Sequence, residues 1–301
     1  MTTASIKRGM PTDAPTPAEL ARASRNTHWK RMLLISPAML LIGAFIVVPM
    51  GCLAVLSVID ESGASFTLNN YAIAFGEAAT LQILWTTFRI SIIVTLLCAL
   101  LGYPVAYLLS QLPPRLAALC MLSVLLPFWT SILVRTYAWM VLLARNGLVN
   151  RGLQKIGVID EPLRLLYNEI GTIIGMTHIM LPFLILPLYA TARNIDRRYL
   201  HAAASLGCRP VVVFWRIFFP LSLPGFFAGL CFVFVLCLGF YITPELLGGG
   251  RVQMISMIIE RSVTMYASWG PAAAIGVILL ATTLLVLWLG WLLDRGSKGW
   301  A

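Results

Sequence analysis

Long unbroken apolar runs decide most of what this chain can become. Residues 32–58, 81–109, 116–143, 170–190, 224–241 and 271–293 each read as a hydrophobic stretch with few or no charges. A hydrocarbon layer about 30 Å thick takes about 20 apolar residues wound as a helix. The runs lack the alternation of a barrel strand, and a backbone without water partners has to bond within its own helix. The expectation is an all-α membrane protein with six transmembrane helices, forming one domain over 32–294. Composition agrees: 59% of the 301 residues are hydrophobic and 11% charged, against about 25% charged in an ordinary soluble domain.

What lies outside the runs sets the topology. Residues 1–31 are polar, rich in Thr, Ala, Pro, Lys and Arg, and without apolar periodicity, so a disordered tail is expected there. The first run is too long for a signal-peptide core of about 7–15 residues and reads as an uncleaved span. Six crossings place the 1–31 tail and the short 295–301 tail on one side. Of the 22 Lys and Arg, fourteen fall on the side of the termini, six on the opposite side and two, Arg89 and Arg135, within spans. Basic residues collect on the cytoplasmic face, so both termini are expected to be cytoplasmic. The net charge of +10 then reads as orientation signal; nucleic acid is not an expected partner, because no basic stripe interleaved with aromatics occurs.

Several chemistries find no footing in the sequence. Five of the six cysteines, Cys52, Cys98, Cys120, Cys231 and Cys237, fall in apolar runs, and no CxxC pair suggests a disulfide framework or metal site. The three histidines at 28, 178 and 201 are far apart in topology, which argues against a membrane-embedded enzyme. His178, alone in the fourth run, reads as an interhelical hydrogen-bonding residue. A secondary transporter would be expected to show internal repeats or an intramembrane carboxylate for ion coupling, and neither is evident. No G-x-x-x-x-G-K-[ST] loop is present, so any ATP has to be held by a partner; no cofactor is expected.

The longest loop on the cytoplasmic side, 191–223, breaks the hydrophobic pattern with "HAAASLGCRPVVVFWRIFFPLSLPG". Tyr199 to Leu206 is a short alanine-rich helix former, Gly207 falls at a left-handed C-cap, and Pro210 suits the first turn of a second helix ending at Pro220 and Pro224. From helix physics alone this unit is either a docking element, whose small residues let another surface approach closely, or a solvated connector. On the opposite side, 244–270 includes "VQMISMIIERSVTMYA", whose apolar spacing at Ile255, Ile258, Ile259 and Tyr266 predicts a short helix at the outer surface.

This segment resembles the EAA loop of permease subunits in binding-protein-dependent ABC importers. That pattern is Glu-Ala-Ala, three residues, Gly, nine residues, Ile, any residue, Leu, Pro. Here His201, Ala202, Ala203, Gly207, Ile217 and Pro220 fall in register, with Leu206 before the glycine, His201 in place of the glutamate and Phe219 in place of the leucine. Within the family the chain is most similar to spermidine/putrescine permeases, through "FTLNNY" (66–71), "VRTYAWMVLL" (134–143), "NGLVN" (146–150), "PLRLLYNEIG" (162–171), "LPLYA" (186–190) and "TPELLGG" (243–249). The resemblance implies a type I ABC importer permease in the bacterial inner membrane, forming half of a translocation channel. It further implies two ATP-binding cassette ATPase subunits docked on 201–220, a second and different permease chain, a periplasmic solute-binding protein, and a polyamine or similar small solute. An opine, an amino-acid-like compound or ferric ion is the alternative cargo.

Charges within the runs are the remaining candidates. Arg135, beside Tyr137 and Trp139, and Glu245 after the fifth run are candidate lining of a cation pathway, since ammonium groups are drawn to carboxylates and aromatic faces. The competing reading makes Arg135 a snorkelling or ion-paired residue and the aromatics an interfacial belt.

Overall fold

A computed structural model describes residues 17–60, 65–76, 78–265 and 268–298, and these are almost wholly helical. In chain order the helices are α1 (Pro17–Val58), α2 (Asn69–Gly76), α3 (Ala78–Gln111), α4 (Pro114–Leu125), α5 (Ile132–Leu143), α6 (Leu148–Lys155), α7 (Glu169–Arg193), α8 (Arg197–Ser205), α9 (Pro210–Val213), α10 (Phe219–Leu238), α11 (Ile242–Gly248), α12 (Ile255–Thr264) and α13 (Trp269–Lys298). A 3₁₀ turn (Leu126–Trp129) follows α4, and a π turn (Phe214–Phe218) joins α9 to α10. Among the described residues six stretches are long and apolar enough to cross a membrane: Ile35–Val58, Ala79–Gln111, Ile132–Lys155, Glu169–Arg193, Pro210–Leu238 and Trp269–Gly290.

The chain divides into a unit ending at Cys52, which comprises most of α1, and a larger unit from Leu53 onward. At the centre of the larger unit α3, α7 and α10 pack on one another. Ile90, Val94 and Cys98 of α3 recur every four residues and meet Met176, Met180 and Leu184 of α7 and Val233 and Cys237 of α10. The outward stripe of α3, Trp85, Leu96, Leu100 and Leu108, is exposed and apolar, as a lipid-facing surface requires. Small residues bring the central helices close: a Cβ at Gly225 of α10 would lie 2.2 Å from Thr191 Oγ1 and 2.8 Å from the Pro187 carbonyl of α7.

Three boundaries differ from the sequence expectation. The tail expected over 1–31 is helical from Pro17 onward, because Pro17 sits at a first helical position and Ala18, Glu19, Leu20 and Ala21 extend the apolar helix backward at little cost; residues 1–16 lie outside the described residues. The run 116–143 is not one helix. Pro127 removes an N–H inside it, the chain tightens into the 3₁₀ turn, and Thr130 becomes extended (φ −90°, ψ 149°) before α5 starts afresh. Finally, the loop expected to end at 223 ends earlier: α9, the π turn and α10 form one continuous stretch, Pro210–Leu238, with Pro220 and Pro224 inside it. The wider π turn accommodates Pro220, since Phe219 N bonds back to the Phe214 carbonyl just before the residue that has no N–H to give.

Candidate functional site

The connection between α7 and α10 is built from its ends inward. Asp196 caps α8, its carboxylate accepting from Arg198 N at 2.9 Å. At the other end Cys208 N bonds the Ala203 carbonyl (3.1 Å) and Gly207 N the Ala204 carbonyl (2.9 Å), the paired closure of a Schellman turn. That turn needs a left-handed residue, and Gly207 supplies it at φ 80°. Arg209 is extended and Pro210 opens α9. The helix, glycine turn and second helix read from the sequence therefore form as expected.

The exposed surface of this unit carries large apolar side chains among charged ones such as Arg197, Arg198 and Arg209. Leu206 is 84% exposed, Val211 67% and Tyr199 60%, with His201 and Ala202 beside them. Ala203 departs from the expected arrangement: it is buried, facing inward, so it seats α8 on the bundle and does not offer close approach to a partner. Ile217 is half-buried in the π turn and Pro220 is exposed.

Underneath, two arginines fasten this connection to the C-terminus of α3. Arg193 Nη1 donates to the Leu112 carbonyl at 2.9 Å, and Arg197 Nη2 to those of Ser110 and Gln111 at 3.2 and 3.4 Å. Cations there satisfy carbonyls that the helix end leaves free. Aromatic packing adds a second fastening. Tyr107 meets Phe218 and Phe214 edge-on at 4.8 and 5.1 Å, and Tyr103 shares a 2.8 Å hydrogen bond with Ser222. These contacts tie the connection to α3 and α10.

Further along the bundle, Arg135 lies in the first turn of α5 near His178 of α7, its Nε buried without a partner among the described residues. Tyr137 is exposed. Trp139 is occupied otherwise: its indole N–H donates to His178 Nδ1 at 3.2 Å, making the interhelical bond expected of that histidine. Glu245 sits in α11, which is tied to α5 by Thr136 and Thr243, 3.2 Å apart. Ser256 donates to the Phe240 carbonyl (2.7 Å), fixing α12 beside the end of α10. Tyr241 then lies within electrostatic reach of Glu260, Glu245 and Arg261. The structure therefore gathers Glu245, Glu260 and Arg261 around Tyr241, and leaves Trp139 apart as a packing residue. The helix expected around 255–266 is α12, but Ile255 and Met257 are buried in the core; Tyr266 lies outside the described residues.

The family described as binding-protein-dependent transport system inner membrane component matches residues 100–299. The chain belongs to this family. It is a permease subunit, a multi-pass inner-membrane protein of a transport system. It is 34% identical over 251 residues to the spermidine/putrescine transport system permease protein PotB of Haemophilus influenzae, covering 81% of this chain and 87% of that one. To PotB of Escherichia coli it is 34% identical over 226 residues, covering 74% and 82%. Its fold matches a chain in the crystal structure of a bacterial alginate ABC transporter in complex with an alginate pentasaccharide-bound periplasmic protein, with TM-score 0.70, 18% identity, and coverage of 89% and 94%.

Sequence reasoning on this permease missed Arg193, Arg197, Tyr241 and Glu260 as site residues. The arginines were legible only as charge in the 191–223 loop, because their acceptors are main-chain carbonyls that sequence does not distinguish. Glu260 had a signal, an acidic residue one turn after Ser256 in a predicted helix, but nothing placed that helix beside Tyr241.

Proposed function

We propose that this permease forms one half of the translocation channel of an ABC importer for polyamines, spermidine or putrescine, with ATP hydrolysed on two separate ATPase subunits. The sequence likeness to two spermidine/putrescine permeases carries the assignment. Around Tyr241 the carboxylates Glu245 and Glu260 outnumber Arg261, which supports a cationic cargo, since carboxylates and an aromatic face are what ammonium groups seek on leaving water. The charge asymmetry of the loops supports cytoplasmic termini, and with them a cytoplasmic α8.

In this reading α8 and its Schellman turn present Leu206, Val211 and Tyr199 to the ATPase. Closure of the ATPase pair displaces α8, and the Arg193 and Arg197 clasps and the Tyr103–Tyr107 aromatic packing carry that displacement into the central helices. A second, different permease chain completes the channel, and a periplasmic binding protein delivers the solute. The test is reconstitution of the whole complex in liposomes, with uptake of labelled spermidine and putrescine in competition with opines, amino acids and ferric chelates. Saturable, ATP-dependent polyamine uptake that requires the binding protein is expected. Retention of a different solute by that protein overturns the cargo, and uptake by this chain alone overturns the ABC mechanism.

A further inference from the structure

Two membrane spans end at one place. Ala79–Gln111 and Glu169–Arg193 both stop where the turn "SQLPPR" (110–115) meets the residues leading into α8. Pro113 and Pro114 bring no N–H to that turn, and the last carbonyls of α3 take their donors from Arg193 and Arg197 instead. This clasp borders a cavity of about 400 Å³. Arg193, Arg197 and Gln111 are among its polar lining residues, and Leu112, Leu200 and Phe218 among its apolar ones. The volume is in the range that holds a small ligand or a lipid headgroup.

The charge in the cavity is one-sided. A guanidinium carries five N–H donors, and the α3 carbonyls engage only Nη1 of Arg193 and Nη2 of Arg197. No carboxylate lines the cavity. Asp196 precedes Arg197 in the chain, but its carboxylate accepts from Arg198 N as the cap of α8 and is not part of the lining. Among the described residues no ion pair reaches either arginine. Two guanidinium groups with donors to spare favour an anion that offers several acceptor oxygens, as a phosphate does.

Hydrocarbon adjoins the same turn. Leu108 of α3 and Leu116 and Leu119 of α4 flank it in the chain, and all three are exposed and apolar. A basic pocket between spans at the cytoplasmic boundary is where anionic headgroups bind. We propose that this cavity binds the phosphate group of an anionic phospholipid of the cytoplasmic leaflet, held by Arg193 and Arg197. The choice of leaflet rests on the importer reading above, which places α8 in the cytoplasm. A headgroup there joins the two clasp arginines to each other as well as to α3, so the hold of α8 on the bundle depends on the charge of the surrounding lipid.

The test titrates the complete transporter in detergent with dioctanoyl phosphatidylglycerol, reading the thermal midpoint and, by native mass spectrometry, the lipid retained. The midpoint rises saturably, with an apparent Kd at least about fivefold lower than for dioctanoyl phosphatidylcholine, whose choline offsets the phosphate charge. Gln111→Glu puts a carboxylate among the lining residues and leaves the main-chain acceptors of both arginines in place. It weakens phosphatidylglycerol binding at least about tenfold and removes the preference over phosphatidylcholine. Gln111→Asn, which adds no charge, stays within about threefold of wild type. Equal affinity for the two lipids in the wild type, or phosphatidylglycerol binding that Gln111→Glu leaves unchanged, overturns the site. A midpoint rise that inorganic phosphate reproduces in full, with nothing added by phosphatidylglycerol, overturns the lipid as the source of the phosphate. Selective phosphatidylglycerol binding in a complex that takes up no polyamine supports the site and overturns only the cargo.

Discussion

The α8 end and the opposite end of the bundle are assembled on different length scales. The turn that presents α8 closes its hydrogen bonds within six residues, Ala203 to Cys208, and its shape follows from one glycine and one proline. The group at Tyr241, Glu245 and Glu260 instead draws on three successive elements, the end of α10, α11 and α12. A local unit keeps its shape while it moves as one piece, which suits a part that transmits force. A composite unit changes shape when its helices shift, which suits a part that holds and releases.

Substitutions can break that contrast at chosen points. Gly207→Asp has the largest expected effect: a side chain at φ 80° costs about 1–2 kcal/mol and unwinds the turn, so uptake is abolished and co-purification with the ATPase weakens while membrane insertion persists. Normal transport and co-purification would show that α8 does not dock the ATPase. The double substitution E245Q/E260Q is next, raising the KM for spermidine about tenfold, equivalent to about 1.4 kcal/mol, with ATPase docking untouched. An unchanged KM in uptake assays removes both from the solute path. Arg197→Ala separates the two ends instead of disabling either: the ATPase still binds, but uptake per ATP hydrolysed falls several-fold as the clasp on Ser110 and Gln111 is lost. Coupling that stays at the wild-type ratio would locate transmission in the aromatic packing alone. Trp139→Phe is the mildest, removing the donor to His178 at about 1 kcal/mol. It lowers the thermal midpoint and leaves the KM unchanged; a shifted KM would place Trp139 in the pathway after all.

The same difference in scale decides what the sequence made legible. The apolar runs specify helices, because hydrocarbon offers the backbone no other partner, and the spacing of Ala202, Gly207, Ile217 and Pro220 carries the local turn. The break in the third run was harder to read. Pro127 lies in a stretch as hydrophobic as its neighbours, and hydropathy does not register a missing N–H. Glu260 escaped notice because its role depends on Ser256 reaching the Phe240 carbonyl, a packing fact with no local signature. Ala203 was misjudged for the related reason that alanine fits either a buried seat or an open face, and only the helix orientation distinguishes them.

The π turn at Phe214–Phe218 gives the spacing between Gly207 and Pro220 a different meaning. One extra residue wound into that turn retards every later side chain by about 100° about the helix axis. Ser222 meets Tyr103, and Gly225 meets Thr191, only at that angular setting. The nine residues between Gly207 and Ile217 then serve as a phase gauge: their number matters more than their identity, and deleting one would turn the whole fifth span away from its neighbours without altering its composition.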